Sequence, residues 1–255
     1  MDDRVTLLGI PVDSVTQEEA VRMLHRFLDD GRAMHVMTPN SEMFTEAARN
    51  PVFRAVLQRS ALNLPDSVGL IRMARWTGQK IAERVTGVDT VERLCAELTE
   101  EHPVFLLGGV EGVGGRASEI LCARNPRLRV VGTCAGSPRE EDVEEILRRI
   151  NDAKPHLLLV AFGAPHQDIW IDRHLPAMPS VRVAIGIGGT LDFLAGVQKR
   201  APVLVQKLGF EWLWRFIHEP QRFRRIWNAV VVFPWLVLRY KAFPPPFKVE
   251  GRERV

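Results

Sequence analysis

Near-continuous apolar runs alternate with amphipathic stretches over most of the chain, as expected of buried strands separated by helices. In the second half the strand segments are PVFLLGG, LRVVGTC, HLLLVAFG and VRVAIGIGG, and amphipathic segments such as SPREEDVEEILRRI lie between them. Strands that are apolar on both sides need cover on both faces, so the pattern predicts a doubly wound α/β fold. We therefore expect a Rossmann-like parallel sheet with helices on both faces.

The first half shows the same alternation with weaker signals. Residues 5–12 (VTLLGIPV) predict a short strand or ribbon. Thr16 and Glu19 form a capping box that starts a helix ending at Asp30-Gly31. Further elements are predicted at MHVMT, at Ser41–Arg49, after Asn50-Pro51, at ALNLP and at Val68–Trp76.

The predicted strands end in polar or glycine residues, and an open α/β sheet binds its ligands at these ends. Five such ends are Thr38-Pro39-Asn40, Pro65-Asp66-Ser67, Gly108-Gly109, Gly163-Ala164-Pro165, and Gly186 to Thr190 with Asp192. A ligand site is therefore expected at this edge of the sheet. The strand-end residues that we expect to bind substrate are Asn40, Gly108, Gly109, Gly163, Gly188, Gly189 and Asp192.

The turn LLGGVEGVGG carries glycines at 108, 109, 112, 114 and 115 directly before a helix. Backbone N–H groups of such a turn, together with the helix N-terminus, can approach a phosphate. The spacing is not G-x-G-x-x-G, and the following strand ends in Thr133-Cys134 rather than in an acid that would hold a ribose. A dehydrogenase is therefore disfavoured, while a nucleoside diphosphate site and a plain tight turn both stay open.

Asp66, at a strand end between Pro65 and Ser67, has two interpretations. It is either the N-cap of the next helix or a general base that takes a proton from an attacking hydroxyl. Thr38 and Gln167 also follow strands, and their side chains can hydrogen-bond a sugar or a phosphate. Each of these alone is more often a cap or a surface group, but together they indicate an active site.

The charged residues near these strand ends are more ambiguous. Arg84 in AERVTGVD either offsets the charge of a leaving diphosphate or is a solvated loop residue, and Asp89 is an equally good helix cap. His166 has no predictable acid or cysteine partner, which makes it weak evidence for catalysis. No strand ends in a D-x-D-like pair that would hold a divalent metal on a diphosphate.

Composition bounds the class of protein. The 255 residues are 46% hydrophobic, which suits one sizeable core or one core with an appendage. The chain opens MDDRVTLL, so we expect no cleavable signal. Three cysteines without C-x-x-C spacing indicate a reducing cytoplasm and argue against structural zinc. One of them, Cys134, is expected to be a small buried residue.

The C-terminal region is more basic and more aromatic than the rest. Residues 200–255 carry 11 Lys and Arg against 4 Asp and Glu, whereas residues 1–199 carry 23 against 27. The region also holds 11 of the 19 aromatic residues. A surface that is both basic and aromatic suits a phospholipid headgroup layer, so we expect membrane contact.

The apolar run Ile226–Leu238 is too short to span a bilayer, which takes ~20 residues. It either lies in the membrane interface or is an ordinary helix that packs on the domain. Nucleic acid is another anionic partner for a basic patch, but the branched aliphatic run Val230–Val232 argues against it. The same apolar helix favours self-association in the absence of lipid, so a homo-oligomer is expected.

Eight motifs occur in the order found in the WecG/TagA/CpsF glycosyltransferases, which the chain resembles from about residue 5 to 227. They are TPNSE (38–42), LPDSVG (64–69), ERVTGVD (83–89), FLLGG (105–109), AFGAPHQD (161–168), GIGGTLDFLAG (186–196), KRAP (199–202) and GFEWLWR (209–215). The resemblance implies an inverting, metal-independent and cofactor-free transfer from a UDP-sugar to a sugar on polyprenyl diphosphate. It also implies a catalytic body over residues 1–200, a membrane appendage over 201–255, and a peripheral location at the cytoplasmic face of the bacterial inner membrane.

Matched by position, the resemblance also assigns residue roles. Asp66 matches the general base, Thr38 and Gln167 match active-site polar groups, and Arg84 matches the arginine of the ERV motif. The appendage arginines that the resemblance places on the diphosphates are Arg215, Arg222 and Arg225.

The chain departs from the family pattern at two motifs. Asp66-Ser67 replaces the usual Asp-Gly, so the loop geometry is expected to differ, since serine rarely adopts positive φ. The usual Pro-Lys-Gln-Glu is here Pro-His-Gln-Asp at 165–168. These changes leave the donor open among UDP-N-acetylmannosamine, its uronic acid and UDP-glucose. The rival hypotheses are a non-catalytic nucleotide-binding module recruited to membranes and, less favoured, a nucleotide-dependent DNA-binding regulator.

Overall fold

The computed structural model describes residues 4–198, 201–202, 205, 214 and 223–246. The strands are β1 (Arg4–Leu7), β2 (Ile10–Asp13), β3 (Met34–Met37), β4 (Leu62–Asn63), β5 (Val104–Gly108), β6 (Val130–Cys134), β7 (Leu157–Ala161) and β8 (Val183–Gly186). The helices are α1 (Gln17–Asp30), α2 (Ser41–Ala47), α3 (Pro51–Arg59), α4 (Val68–Trp76), α5 (Gly87–Glu97), α6 (Val113–Arg124), α7 (Glu140–Ala153), α8 (His166–His174), α9 (Thr190–Leu194), α10 (Phe223–Trp227) and α11 (Phe233–Tyr240). A 3₁₀ turn (Leu175–Ala177) follows α8, and a π-helical turn (Asn228–Val232) joins α10 to α11.

Six strands form one parallel sheet in the order β4-β3-β8-β7-β5-β6, and β1 and β2 form a separate antiparallel hairpin. The predicted α/β class with a parallel sheet is therefore confirmed. The order places the last strand, β8, beside the third, because Val36 pairs with Ile185. The carboxyl ends of all six strands consequently lie along one edge.

Alternate residues of each central strand enter different cores, which explains the near-continuous apolar runs. In β7, Leu157 and Leu159 face one cluster, whereas Leu158 and Val160 face the other. The first cluster is covered by α1, α5 and α6, and the second by α7 and α8. Because side chains alternate along a strand, a sheet with helices on both sides has no polar face.

One predicted helix start is confirmed, and two others differ from the sequence interpretation. The Thr16–Glu19 capping box is present, and α1 ends at Gly31 with φ of 73°. Before α4, however, the N-cap is Ser67 and not Asp66, because the Ser67 Oγ accepts from the Leu70 amide. Before α5, the N-cap is Thr86, and Asp89 lies in the first turn with its amide bonded to the Thr86 Oγ1. The cap interpretations of Asp66 and Asp89 were therefore wrong.

The C-terminal helix packs on the body of the protein. Phe233 and Val237 are fully buried, and the Phe233 ring meets Phe44 of α2 edge-on at 5.6 Å. After α11 the chain bonds to the turn between β1 and β2, where the amides of Leu8 and Gly9 donate to the carbonyls of residues 241 and 242. The opposite face of this region is exposed at Trp227, Val230, Val231, Trp235 and Leu238.

In the described part of the chain, no helix has the length and apolar character that crossing a membrane requires.

We predict that Phe233→Ala lowers the free energy of unfolding by about 3–5 kcal/mol, because it removes a fully buried aromatic ring. Phe243→Ala, which truncates a ring that is 75% exposed in the same tail, is the control and should cost less than about 1 kcal/mol. Urea unfolding followed by fluorescence measures both. Equal effects of the two substitutions would show that α11 does not contribute to the core.

Candidate active site

Asp66 is held at the end of β4 by contacts from two neighbouring loops. Its amide donates to the Pro39 carbonyl at 3.0 Å, which ties it to the loop after β3. Its Oδ2 accepts from the Gly87 amide at 3.1 Å, and its Oδ1 lies 3.6 Å from the Arg84 guanidinium. The carboxylate is half-buried. The structure therefore brings Asp66 and Arg84 together, as expected of parts of one site.

The backbone explains how Arg84 and Gly87 reach this point. The Val85 amide donates to the Pro65 carbonyl at 3.0 Å, so the segment before α5 runs alongside the end of β4. The α5 N-terminus then points at the Asp66 carboxylate. Thr38 lies close to Gly87, since a β-carbon on that glycine would be 3.1 Å from the Thr38 Oγ1. Thr38, Asp66 and Arg84 thus lie near one helix N-terminus, and a side chain at position 87 would crowd Thr38.

Ser67 adopts ordinary extended geometry, with φ of −155° and ψ of 146°. A glycine is therefore not required here, and the expected difference in loop geometry does not stem from positive φ. The Ser67 hydroxyl caps α4 and lies 3.0 Å from the Ser41 Oγ. The Ser67 hydroxyl, which a glycine would lack, instead adds a hydrogen bond between the start of α2 and the loop after β4.

Gln167 is buried at the start of α8 and joins two other strand ends. Its Oε1 accepts from the Gly163 amide at 3.0 Å and from the Gly188 amide at 2.9 Å. The loops after β7 and β8 are therefore fixed to one amide group. Within the described residues the Gln167 Nε2 makes no hydrogen bond. The nitrogen is thus the half of this amide that is available to a substrate.

Other predicted site residues have different surroundings. The Asn40 Oδ1 caps α2 by accepting from the amides of Glu42 and Met43. Arg225 donates to the Glu42 carboxylate, which places one appendage arginine two residues from Asn40. Asp192 is partly exposed in α9, Gly189 and His166 are exposed, and Arg215 and Arg222 lie outside the described residues.

The glycine turn after β5 needs its glycines. Gly108 and Gly109 have φ of 98° and 77°. A β-carbon on Gly108 would lie 2.8 Å from the Ala161 backbone, and one on Gly109 would lie 2.9 Å from Leu191. The turn therefore passes close to the ends of β7 and α9, and it continues into the start of α6.

A cleft of about 400 Å³ lies between this turn and the loop after β6. Its lining includes Gly112, Thr133, Cys134, Asp142 and Arg149. Cys134, expected to be a small buried residue, is only partly buried and faces this cleft. The cleft and the Asp66 cluster lie at the same edge of the sheet, at opposite ends of the strand order.

One acid of the cleft, Glu145, is bonded to two arginines. Hydrogen bonds from Arg148, the larger contribution, and from Arg149 lower the pKa of the Glu145 carboxyl to about 2. Glu145 therefore stays charged throughout the physiological range, and its charge is shared with two guanidinium groups. An anionic ligand in the cleft consequently faces one arginine, Arg149, as well as acids.

Asp66, Thr38, Arg84 and Gln167 were candidates from the sequence, which did not show how they are held. The Gly87 amide and the hydroxyl pair of Ser41 and Ser67 were not recognised. The spacing ERVTGVD carried a partial signal, because it places Arg84 three residues before a glycine at a helix start.

The fold is an α/β fold with polar and glycine loops at the carboxyl edge of a parallel sheet, the edge at which open α/β sheets bind their ligands. Residues 5–246 match the model of the Glycosyl transferase WecG/TagA/CpsF family, so the chain belongs to this family and is a glycosyltransferase. The resemblance noted from the eight motifs is therefore confirmed.

Two relatives are similar to the chain over most of their length. One, from Bacillus spizizenii strain W23, is 28% identical over 216 residues, covering 84% of this chain and 83% of the relative. The other, from Staphylococcus aureus strain MRSA252, is 26% identical over 242 residues, covering 93% of each chain. Both are named N-acetylglucosaminyldiphosphoundecaprenol N-acetyl-beta-D-mannosaminyltransferase.

We predict that Gly186→Ala destabilises the protein by about 1–3 kcal/mol, because overpacking displaces buried groups. A β-carbon there would lie 2.4 Å from the Asp168 Oδ1 and 2.6 Å from the Gln167 Nε2. Gly115→Ala is the matched control, since this glycine of α6 has open space around it and alanine favours helix. Thermal unfolding compares the two variants. A Gly186→Ala protein as stable as the control would contradict the packing described for Gln167.

Proposed function

We propose that the protein transfers a sugar from a UDP-sugar to a sugar carried on a polyprenyl diphosphate, with inversion and without a metal ion. The observation that carries the proposal is the half-buried Asp66, held at the sheet edge by the Gly87 amide beside Arg84. The names of the relatives support N-acetylmannosamine as the transferred sugar and N-acetylglucosamine on undecaprenyl diphosphate as the acceptor. The reaction would serve the synthesis of a bacterial cell-surface polysaccharide.

In the proposed step, Asp66 accepts the proton of the acceptor hydroxyl as its oxygen attacks the anomeric carbon. The new carbon–oxygen bond forms while the bond from that carbon to the diphosphate breaks, and its electron pair leaves with UDP. Attack from the face opposite the diphosphate inverts the anomeric configuration. We assign to Thr38, which lies near the same helix N-terminus, a hydrogen bond to a sugar hydroxyl.

The leaving diphosphate needs compensation for its charge. We assign this role to Arg84 and the appendage arginines Arg215, Arg222 and Arg225, because guanidinium groups stay charged and bind phosphate oxygens in pairs. The Gln167 Nε2 and the N–H groups of the Gly108–Gly109 turn are further donors at the same edge. The nucleoside is assigned to the cleft between that turn and the loop after β6.

The acceptor is anchored in lipid, so the enzyme must work at a membrane surface. The exposed stripe on α10 and α11 includes Trp227 and Trp235, which are 51% and 56% exposed. Arg224, Arg239 and Lys241 are exposed in the same region. We therefore propose peripheral binding to the cytoplasmic face of the bacterial membrane, with the other face of α11 packed on the body.

We predict that Asp66→Asn lowers kcat by about 10²- to 10⁴-fold, because the amide cannot accept the proton. The measurement is UDP release with a short-chain prenyl-diphosphate-GlcNAc acceptor and a panel of UDP-N-acetylmannosamine, its uronic acid and UDP-glucose, with and without EDTA. Asp152→Asn, an exposed carboxylate of α7, is the control and should leave activity unchanged.

Acceptor-dependent, EDTA-insensitive UDP release that is lost in Asp66→Asn would support the proposed reaction and its base. Full activity of Asp66→Asn would remove Asp66 from that role. Folded wild-type protein that binds UDP but turns over no donor in the presence of lipid would favour the non-catalytic binding module.

We further predict that Trp227→Ser with Trp235→Ser weakens binding to phosphatidylglycerol vesicles by roughly tenfold or more, because burying one such side chain contributes about 1.5–3 kcal/mol. The matched control replaces both tryptophans by phenylalanine, which keeps the surface apolar. Vesicle co-sedimentation measures the affinities. If the serine and phenylalanine variants bind equally well, the exposed stripe is not the membrane contact.

A further inference from the structure

A histidine and an aspartate form a buried pair directly behind the active-site edge. Asp168 of α8 is fully buried, His35 of β3 has a side chain that is 8% exposed, and its Nε2 lies 3.6 Å from the Asp168 Oδ1. Among the described residues, His35 is the one basic side chain within ion-pair distance of Asp168. Neither carboxylate oxygen nor the His35 Nε2 has a hydrogen-bond partner in the described protein. A buried carboxylate without hydrogen bonds depends on the polar group next to it, which here is the His35 imidazole.

The pair is close to the amide that holds the active-site loops. Gln167 and Asp168 are consecutive residues in the first turn of α8, and both side chains reach the same point of β8. A β-carbon on Gly186 would lie 2.4 Å from the Asp168 Oδ1 and 2.6 Å from the Gln167 Nε2. The rotation of this first turn about the helix axis therefore sets the positions of both groups at once.

Two observations indicate that His35 fixes that rotation. His35 is anchored in the sheet, because it pairs with Ala184 of β8 and its carbonyl accepts from the Ala61 amide. The next acidic residue of α8, Asp172, is bonded to Arg59 of α3 instead and does not compete for the histidine. The negative charge of Asp168 also lies at a helix N-terminus, where it is favoured.

We propose that His35 and Asp168 are positioning residues, a buried pair that orients Gln167 and thereby holds the glycine loops at 163 and 188 for sugar transfer. The catalytic role of the pair rests on the proposed function, but the coupling between the pair and the glycine loops does not. Gln167 contacts the loops directly, whereas the pair acts only through Gln167. A single substitution in the pair leaves a buried polar group uncompensated, while replacing both by amides leaves two neutral groups that can bond.

The test uses amide hydrogen exchange at Gly163 and Gly188 in the full-length protein, because these two N–H groups donate to the Gln167 Oε1. Asp168→Asn and His35→Gln are each expected to speed exchange at both glycines at least tenfold. Exchange at Leu106 and Leu159, in the centre of the sheet, should stay within about twofold of the wild type. The double variant should exchange more slowly at the glycines than either single variant. Gln167→Ala gives the exchange rate of the two glycine amides without their bonds to the Gln167 side chain.

Unchanged glycine exchange in both single variants would overturn the proposal. Equal acceleration at Leu106 and Leu159 would also overturn it, because the pair would then contribute only to global stability. Additive effects in the double variant would show that the two residues do not act together.

Turnover supplies an independent readout. With an active wild-type enzyme, Asp168→Asn should lower kcat more than it raises KM for the donor, and the double variant should recover part of kcat. If the wild-type enzyme has no transferase activity, the proposed function fails while the exchange result still decides the pairing. If activity is normal in variants with loosened glycines, the pair holds the loops but does not position them for catalysis.

Discussion

The burial of the parallel sheet on both faces is the constraint on which the rest of the structure depends. Side chains of β5, β7 and β8 are apolar on both sides, so these central strands offer no place for polar chemistry on either face. The polar residues of the site follow the strands at their ends, and parallel strands bring those ends to a single edge. Asp66, Gln167 and the Gly108–Gly109 turn lie at that edge for this reason, although they are far apart in sequence.

At this edge of the sheet, hydrogen bonds between neighbouring loops stabilise the candidate site. The Asp66 carboxylate joins the end of β4 to the start of α5, and the Gln167 amide joins the ends of β7 and β8. Such contacts hold hydrogen-bond donors in fixed positions before the substrate binds. Enzymes commonly stabilise developing charge with donors that are preorganised in this way.

Much of the fold was predictable from local pattern. The strand PVFLLGG and the helix Val68–Trp76 were recognised because period and turn residues are local properties. The strand order was not predictable, since pairing of Met34 with Val183 joins distant segments with equally apolar neighbours. Asp66 was a candidate from its position alone, but its bond to Gly87, the two-loop contact of Gln167 and the His35–Asp168 pair depend on tertiary packing. The burial of Phe233 was likewise hidden, because the apolar run Ile226–Leu238 suits a membrane surface and a protein core equally well. The division of the chain at residue 200 stays a prediction.

A crystal structure with UDP bound would test most directly whether the donor lies at the carboxyl edge of the sheet beside Asp66. We expect the diphosphate at the Gly108–Gly109 turn, the uridine in the cleft between Gly112 and Asp142, and the free end of the diphosphate directed along the edge toward Asp66. UDP bound away from the carboxyl edge of the sheet, or directed away from Asp66, would contradict this expectation.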